Sequence, residues 1–119
     1  MLISKFKLQK LFIKFIEWGK IAKVENLILL NPELEIPWQK AFERSALNKE
    51  ERGAGWIYEH ANKLGIKIDI HFDNDKLFNY LILQECRYFI KWLMSLEPDY
   101  QWLSNIARET LLRARMPIF

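Results

Sequence analysis

The sequence predicts an all-α fold, a short solenoid of antiparallel helix pairs. Three observations carry this prediction. An aromatic-centred pair recurs as Leu11-Phe12, Ala41-Phe42 and Leu77-Phe78. Fourteen residues beyond each phenylalanine stands a second mark, at Asn26-Leu27, Trp56-Ile57 and Trp92-Leu93. An offset held three times points to supersecondary units that bury their faces by stacking. Between the marks, apolar residues fall at helical spacing. Only four Gly and four Pro interrupt 119 residues that are 50% hydrophobic, too few for a loop-rich fold and too apolar for a disordered one. The same pattern fits an alternative, an irregular bundle of six or seven helices.

The elements follow in order. Residues 4–18 form an amphipathic helix, with Phe6, Leu8, Leu11, Phe12, Phe15 and Ile16 set among Lys5, Lys7, Lys10 and Lys14. Gly19 stops it. A second helix covers 22–30 and ends at Asn31-Pro32, because proline disfavours helical geometry in the residue before it. After a connector, 38–48 is the next helix, and its partner runs to about 64, with Gly65 as cap. Residues 66–72 alternate apolar and polar, a strand-type period. Asp73-Asn74-Asp75 reads as a turn that also offers helix caps. Helices at 76–84 and 88–96 follow, the latter ended by Glu97-Pro98. A last helix spans 102–115, and 116–119 is an apolar tail. The phase positions 12, 42, 78 and 106 are separated by 30, 36 and 28 residues. They divide a single domain, 1–119, into units 5–34, 38–72, 74–100 and a partial 102–119. Residues 65–75 lengthen the middle unit.

The segment Asp73-Asn74-Asp75-Lys76-Leu77-Phe78, followed by Tyr88-Phe89-Ile90-Lys91-Trp92-Leu93, resembles an ankyrin-like repeat of the degenerate type found in large DNA viruses. The likeness extends over residues 8–106. The Thr-Pro-Leu-His opening of that family is absent, and its Gly-His corner is matched only loosely by Gly19-Lys20. The resemblance implies a non-enzymatic protein–protein interaction module, a small inhibitor that occludes a host protein complex. It implies binding through connector tips and the first-helix face. Trp38, Arg44, Lys49, Arg52, His71, Asp73, Asn74, Tyr80 and Trp102 are the candidate contacts. Trp38 and Trp102 open first helices, and Arg44 and Tyr80 each lie two residues past a phase phenylalanine.

The residues themselves offer little chemistry. Asp69, His71, Asp73 and Asp75 recur every second residue, as calcium-loop ligands do. Such a loop needs Gly at position 6 and Glu at position 12, and Asn74 and Tyr80 stand there. His60 and His71 are the only histidines, with no His, Cys or Glu at zinc or di-iron spacing. Gly53-Ala54-Gly55 lacks the third glycine and preceding strand of a phosphate loop and reads instead as a close approach between helices. No enzymatic activity, cofactor or metal is expected. The single Cys86 cannot form an internal disulfide, which favours a reducing compartment and a cytoplasmic location. No apolar stretch reaches the ~18 residues of a membrane span.

Charge is unevenly placed. Residues 1–23 sum to +5 and 108–119 to +2, so the middle carries −4. Lys5, Lys7, Lys10 and Lys14 at one end, with Arg108, Arg113 and Arg115 at the other, support an alternative function: nucleic-acid association through phosphate contacts. The apolar tail Met116, Ile118 and Phe119 is a candidate for self-association.

Overall fold

Among the described residues six helices with defined bounds form where the apolar periodicity places them. They are α1 (Lys5–Glu17), α2 (Ile21–Leu30), α3 (Trp38–Leu47), α4 (Glu51–Lys63), α5 (Phe72–Leu83) and α6 (Arg87–Leu96), followed by a 3₁₀ turn at Trp102–Asn105. The structure, a computed structural model, describes residues 4–106 and Thr110. Among these the fold is all-α, with no strand. Two compact units divide the chain, Met1–Ile68 and Asp69–Phe119, with the boundary inside residues 65–75.

The first helix of each pair ends in the same corner. Seven residues past Phe12, Phe42 and Phe78 come Gly19, Lys49 and Glu85, with φ of 66°, 60° and 57°. At each corner the next N–H reaches back five residues. Lys20 donates to the Phe15 carbonyl at 2.8 Å, Glu50 to Ser45 at 2.9 Å and Cys86 to Leu81 at 3.0 Å. Gly19, Lys49 and Glu85 themselves donate to Ile16, Ala46 and Ile82. These paired bonds are the Schellman closure, which needs one residue in left-handed geometry. The C-terminus of α4 closes the same way: Gly65 (φ 75°) is followed by an Ile66 N–H bonded to the Ala61 carbonyl at 2.9 Å.

Because the corners match, the buried faces match. Phe12, Phe42 and Phe78 are fully buried. Twelve residues on, so are Val24, Ala54 and Ile90, and fifteen on, Leu27, Ile57 and Leu93 are buried. Each large side chain so placed contributes about 1.5–3 kcal/mol. The tryptophans of the fourteenth-residue mark, Trp56 and Trp92, are half-buried. The core position is the residue after them.

In the N-terminal unit α1 packs on α3 and α2 on α4. Arg44 pairs with Glu17 at 2.8 Å and the Asn48 side chain donates to the Glu17 carbonyl at 3.0 Å, tying α3 to the end of α1. Gly53 lets α4 approach α1. A Cβ there would lie 2.2 Å from the Ile16 carbonyl oxygen, whereas one at Gly55 would meet nothing within 4 Å. In the C-terminal unit α5 packs on α6 and on the 3₁₀ turn, where Phe78 and Trp102 meet with centroids 5.1 Å apart.

Two expectations are corrected. The 66–72 alternation does not make a strand. Ile68, Ile70 and Phe72 are buried, so the alternation is real, but no neighbouring strand supplies a ladder and the segment is a connector pinned by those apolar residues. A continuous helix from 102 does not form either. Ile106 is extended (φ −70°, ψ 126°) after a single 3₁₀ turn, because the packing of Trp102 overrides helical periodicity. The remainder of that expected helix, apart from Thr110, lies outside the described residues.

The two α4 glycines predict opposite effects. Gly53→Ala should destabilise the fold by about 1–3 kcal/mol through overpacking, and Gly55→Ala should stabilise it by up to ~1 kcal/mol through helix propensity. Urea unfolding of both variants checks this.

Candidate functional site

The N-terminal unit carries an apolar groove between its second helices. The helix α2 stays apolar to its end, so Leu29 and Leu30 remain exposed, Leu29 at 76%. Asn31 terminates it, its side-chain amide donating to the Leu27 carbonyl at 3.0 Å. The connector then brings Leu34 and Ile36 to the groove, and Trp38 opens α3. Facing them, α4 contributes Trp56, His60 and the exposed Leu64. Together these enclose about 560 Å³, with Glu25 and Lys63 as the charged residues of the lining. Three rings form one stack. Trp38 lies on Trp56 at 6.3 Å and 19°, and Trp56 on His60 at 3.8 Å and 17°. His60 Nδ1 lies 2.8 Å from the Trp56 carbonyl oxygen. A carbonyl only accepts, so Nδ1 is the donor in this contact.

The C-terminal unit carries a polar cluster centred on His71. Its Nδ1 lies 2.6 Å from Asp75 Oδ1, its Nε2 is hydrogen-bonded to the Glu97 carboxylate, and the Tyr100 hydroxyl donates to Asp75 Oδ2 at 2.6 Å. The Tyr100 ring stacks on the imidazole at 3.9 Å, and Trp102 donates its indole N–H to the Glu97 carbonyl at 3.0 Å. Local backbone geometry builds the cluster. Asp69 Oδ1 accepts from the His71 N–H at 2.9 Å. Asp73, Asn74 and Asp75 are all left-handed, with φ of 50°, 55° and 60°. The Asp75 N–H then closes on the His71 carbonyl at 3.1 Å. Asp and Asn tolerate this conformation best among residues with a Cβ.

Asp75 is 3% exposed, yet both its carboxylate oxygens are hydrogen-bonded. Burial alone would lower the pKa of His71. The hydrogen bonds and charges of Asp75 and Glu97 outweigh that, and the net shift is upward. With both ring nitrogens engaged, the imidazole is placed to hold a proton between two carboxylates, not to attack or to ligate. Among the described residues no group of three His, Cys, Asp or Glu side chains could hold a metal ion.

The expected contacts fall in different places. Trp38 is in the groove. Arg44, Lys49 and Arg52 are exposed, Arg44 paired with Glu17 and Arg52 3.6 Å from Glu50. Asp73 and Asn74 are exposed on the left-handed turn beside His71, and Tyr80 is half-buried on α5. Trp102, expected as an open anchor, is 2% exposed and belongs to the core around Phe78. Lys7, Lys10 and Lys14 are exposed on α1, while Lys5 pairs with Glu35 at 2.6 Å. Arg108, Arg113, Arg115 and the tail 116–119 lie outside the described residues.

Sequence reading missed Asp75, Glu97 and Tyr100 as partners of His71, and His60 as part of a stack. The i,i+4 spacings of His71 with Asp75 and of Trp56 with His60 were the available signals. Glu97, 26 residues away, read only as a helix stop. No family model matches the chain, and no curated protein or solved structure is significantly similar to it.

The His71 cluster predicts a pH-dependent stability. A pKa raised on folding means that the folded state holds the proton more tightly. Its contribution is full below the unfolded value of about 6.5 and is lost as pH rises through the higher folded value. Thermal unfolding between pH 5.5 and 8.5 should show stability falling with pH, and His71→Gln should flatten that slope.

Proposed function

We propose that the protein is a non-enzymatic protein-interaction module, and that it binds through the groove of its N-terminal unit. The observation that carries this reading is the Trp38–Trp56–His60 stack lining an open apolar groove beside exposed Leu29 and Leu64. Contiguous exposed apolar surface marks interaction sites, and tryptophan is enriched among residues that dominate binding energy. The occupant is an amphipathic segment of another protein. Its apolar side chains would fill the groove, with an acidic residue towards Lys63 and a basic one towards Glu25.

The recurring helix corner supports reading the chain as a stack of degenerate ankyrin-like pairs. On that reading the module works in the cytoplasm as an inhibitor, covering the surface of a larger complex. It makes and breaks no covalent bond.

Affinity capture from the source cells tests the groove when run with variants. Leu29→Asp and Trp38→Ala should each lose the specifically captured protein, at least tenfold, while Tyr88→Ala on exposed α6 surface should retain it. An unchanged captured set with both groove variants folded would overturn the reading.

A further inference from the structure

Apart from Glu17, the outward face of α1 is left exposed by the packing. Its inward face is committed, with Phe12, Ile13 and Ile16 buried. At about 100° per residue, Phe6, Lys10, Lys14, Lys7 and the C-cap Trp18 fall within roughly a third of the helix circumference, an arc whose edge also holds Glu17, bound to Arg44. All five are exposed, Phe6 at 63% and Trp18 at 57%. Lys20 at the corner and Lys23 on α2 are also exposed.

Charge on this face is uncompensated. Among the described residues Lys7, Lys10, Lys14, Lys20 and Lys23 form no ion pair, whereas Lys5, Arg44 and Arg52 do. Glu17, the one acid of α1, is taken by Arg44. Two of these lysines lie against aromatic rings. The Lys10 ammonium sits 4.5 Å over Phe6 and that of Lys23 5.6 Å over Phe15.

We infer that this face binds single-stranded nucleic acid. The ammonium groups neutralise backbone phosphates, and Phe6 and Trp18 offer rings on which unpaired bases stack. The arrangement discriminates among anionic partners. An interfacial membrane helix sets apolar residues in the middle of its outward face and lysines at the flanks. Here the lysines are central, the aromatics are marginal, and the apolar side of α1 is already buried. A duplex keeps its bases stacked inside and leaves the two rings without partners. The surface uses none of the groove residues, so its test and that of the groove are independent.

Fluorescence anisotropy with a dye-labelled thymidine 20-mer and the full chain tests the inference across a salt series. The affinity should fall linearly on logarithmic axes with salt. At roughly 0.7 in slope per phosphate released, the combined change Lys7→Gln, Lys10→Gln and Lys14→Gln should lower the slope by about two. Phe6→Ala with Trp18→Ala should weaken binding about tenfold or more with the slope unchanged. All substituted side chains are exposed, and unchanged melting temperatures confirm folding. Three results would overturn the inference: no binding of the 20-mer at low salt, equal binding of duplex or poly-glutamate, or binding only to phosphatidylserine-containing vesicles.

Discussion

The structure depends on one backbone constraint, the left-handed residue seven positions past each core phenylalanine. Gly19, Lys49 and Glu85 turn the chain there, and each corner is closed by the same pair of reaching-back hydrogen bonds. A helix end leaves carbonyls without partners, and the corner satisfies them while reversing the chain within three residues. The return helix therefore starts in a fixed register. That register is why Val24, Ala54 and Ile90 are all buried at one phase and Leu27, Ile57 and Leu93 at another. Two of the three corners hold this geometry with side chains that carry a Cβ, at a cost of about 1–2 kcal/mol each, so the packing they permit outweighs it.

The groove follows from the same constraint. With the corners setting the hairpins and Gly53 admitting α4 close to α1, the second helices lie side by side and Trp56 falls one residue before the buried Ile57. It is thus turned half out, where Trp38 and His60 sandwich it. In the C-terminal unit the corresponding residue, Trp92, is also half-buried, but the chemistry there gathers at the other end of α6, where Glu97 and Tyr100 close over His71.

Much of the fold was legible in the sequence. The ends of α1 to α6 fell within a few residues of their expected places, because amphipathic spacing, Asn31-Pro32, Gly65 and Glu97-Pro98 are local signals. The corners at Lys49 and Glu85 were not legible, since the residue that normally marks a left-handed position is glycine and only Gly19 obeys that rule. Asp73, Asn74 and Asp75 read as a turn that also offers helix caps, and the sequence did not show that all three would be left-handed, because Asp and Asn favour caps, turns and that geometry alike. The connector at 66–72 carried a true alternation of burial, but periodicity does not show whether a partner strand exists. The site was less legible than the fold. Trp38 and His71 were singled out, yet Glu97, Tyr100 and the stacking of His60 arise from contacts across 25 residues or more or from ring orientation. Trp102 carried the residue type of a binding anchor but is held in the core by Phe78, Tyr100 and His71.

The corner geometry is tested most directly by the stability of a chain carrying Lys49→Gly and Glu85→Gly, measured against one carrying Lys14→Gly in the exposed interior of α1. Glycine removes the left-handed penalty at a corner but only adds backbone entropy in a helix. The corner variant should equal or exceed the parent chain, by up to about 3 kcal/mol, while Lys14→Gly should lose about 1 kcal/mol. A corner variant destabilised as much as Lys14→Gly would contradict the account, because Lys49 and Glu85 would then be ordinary right-handed positions.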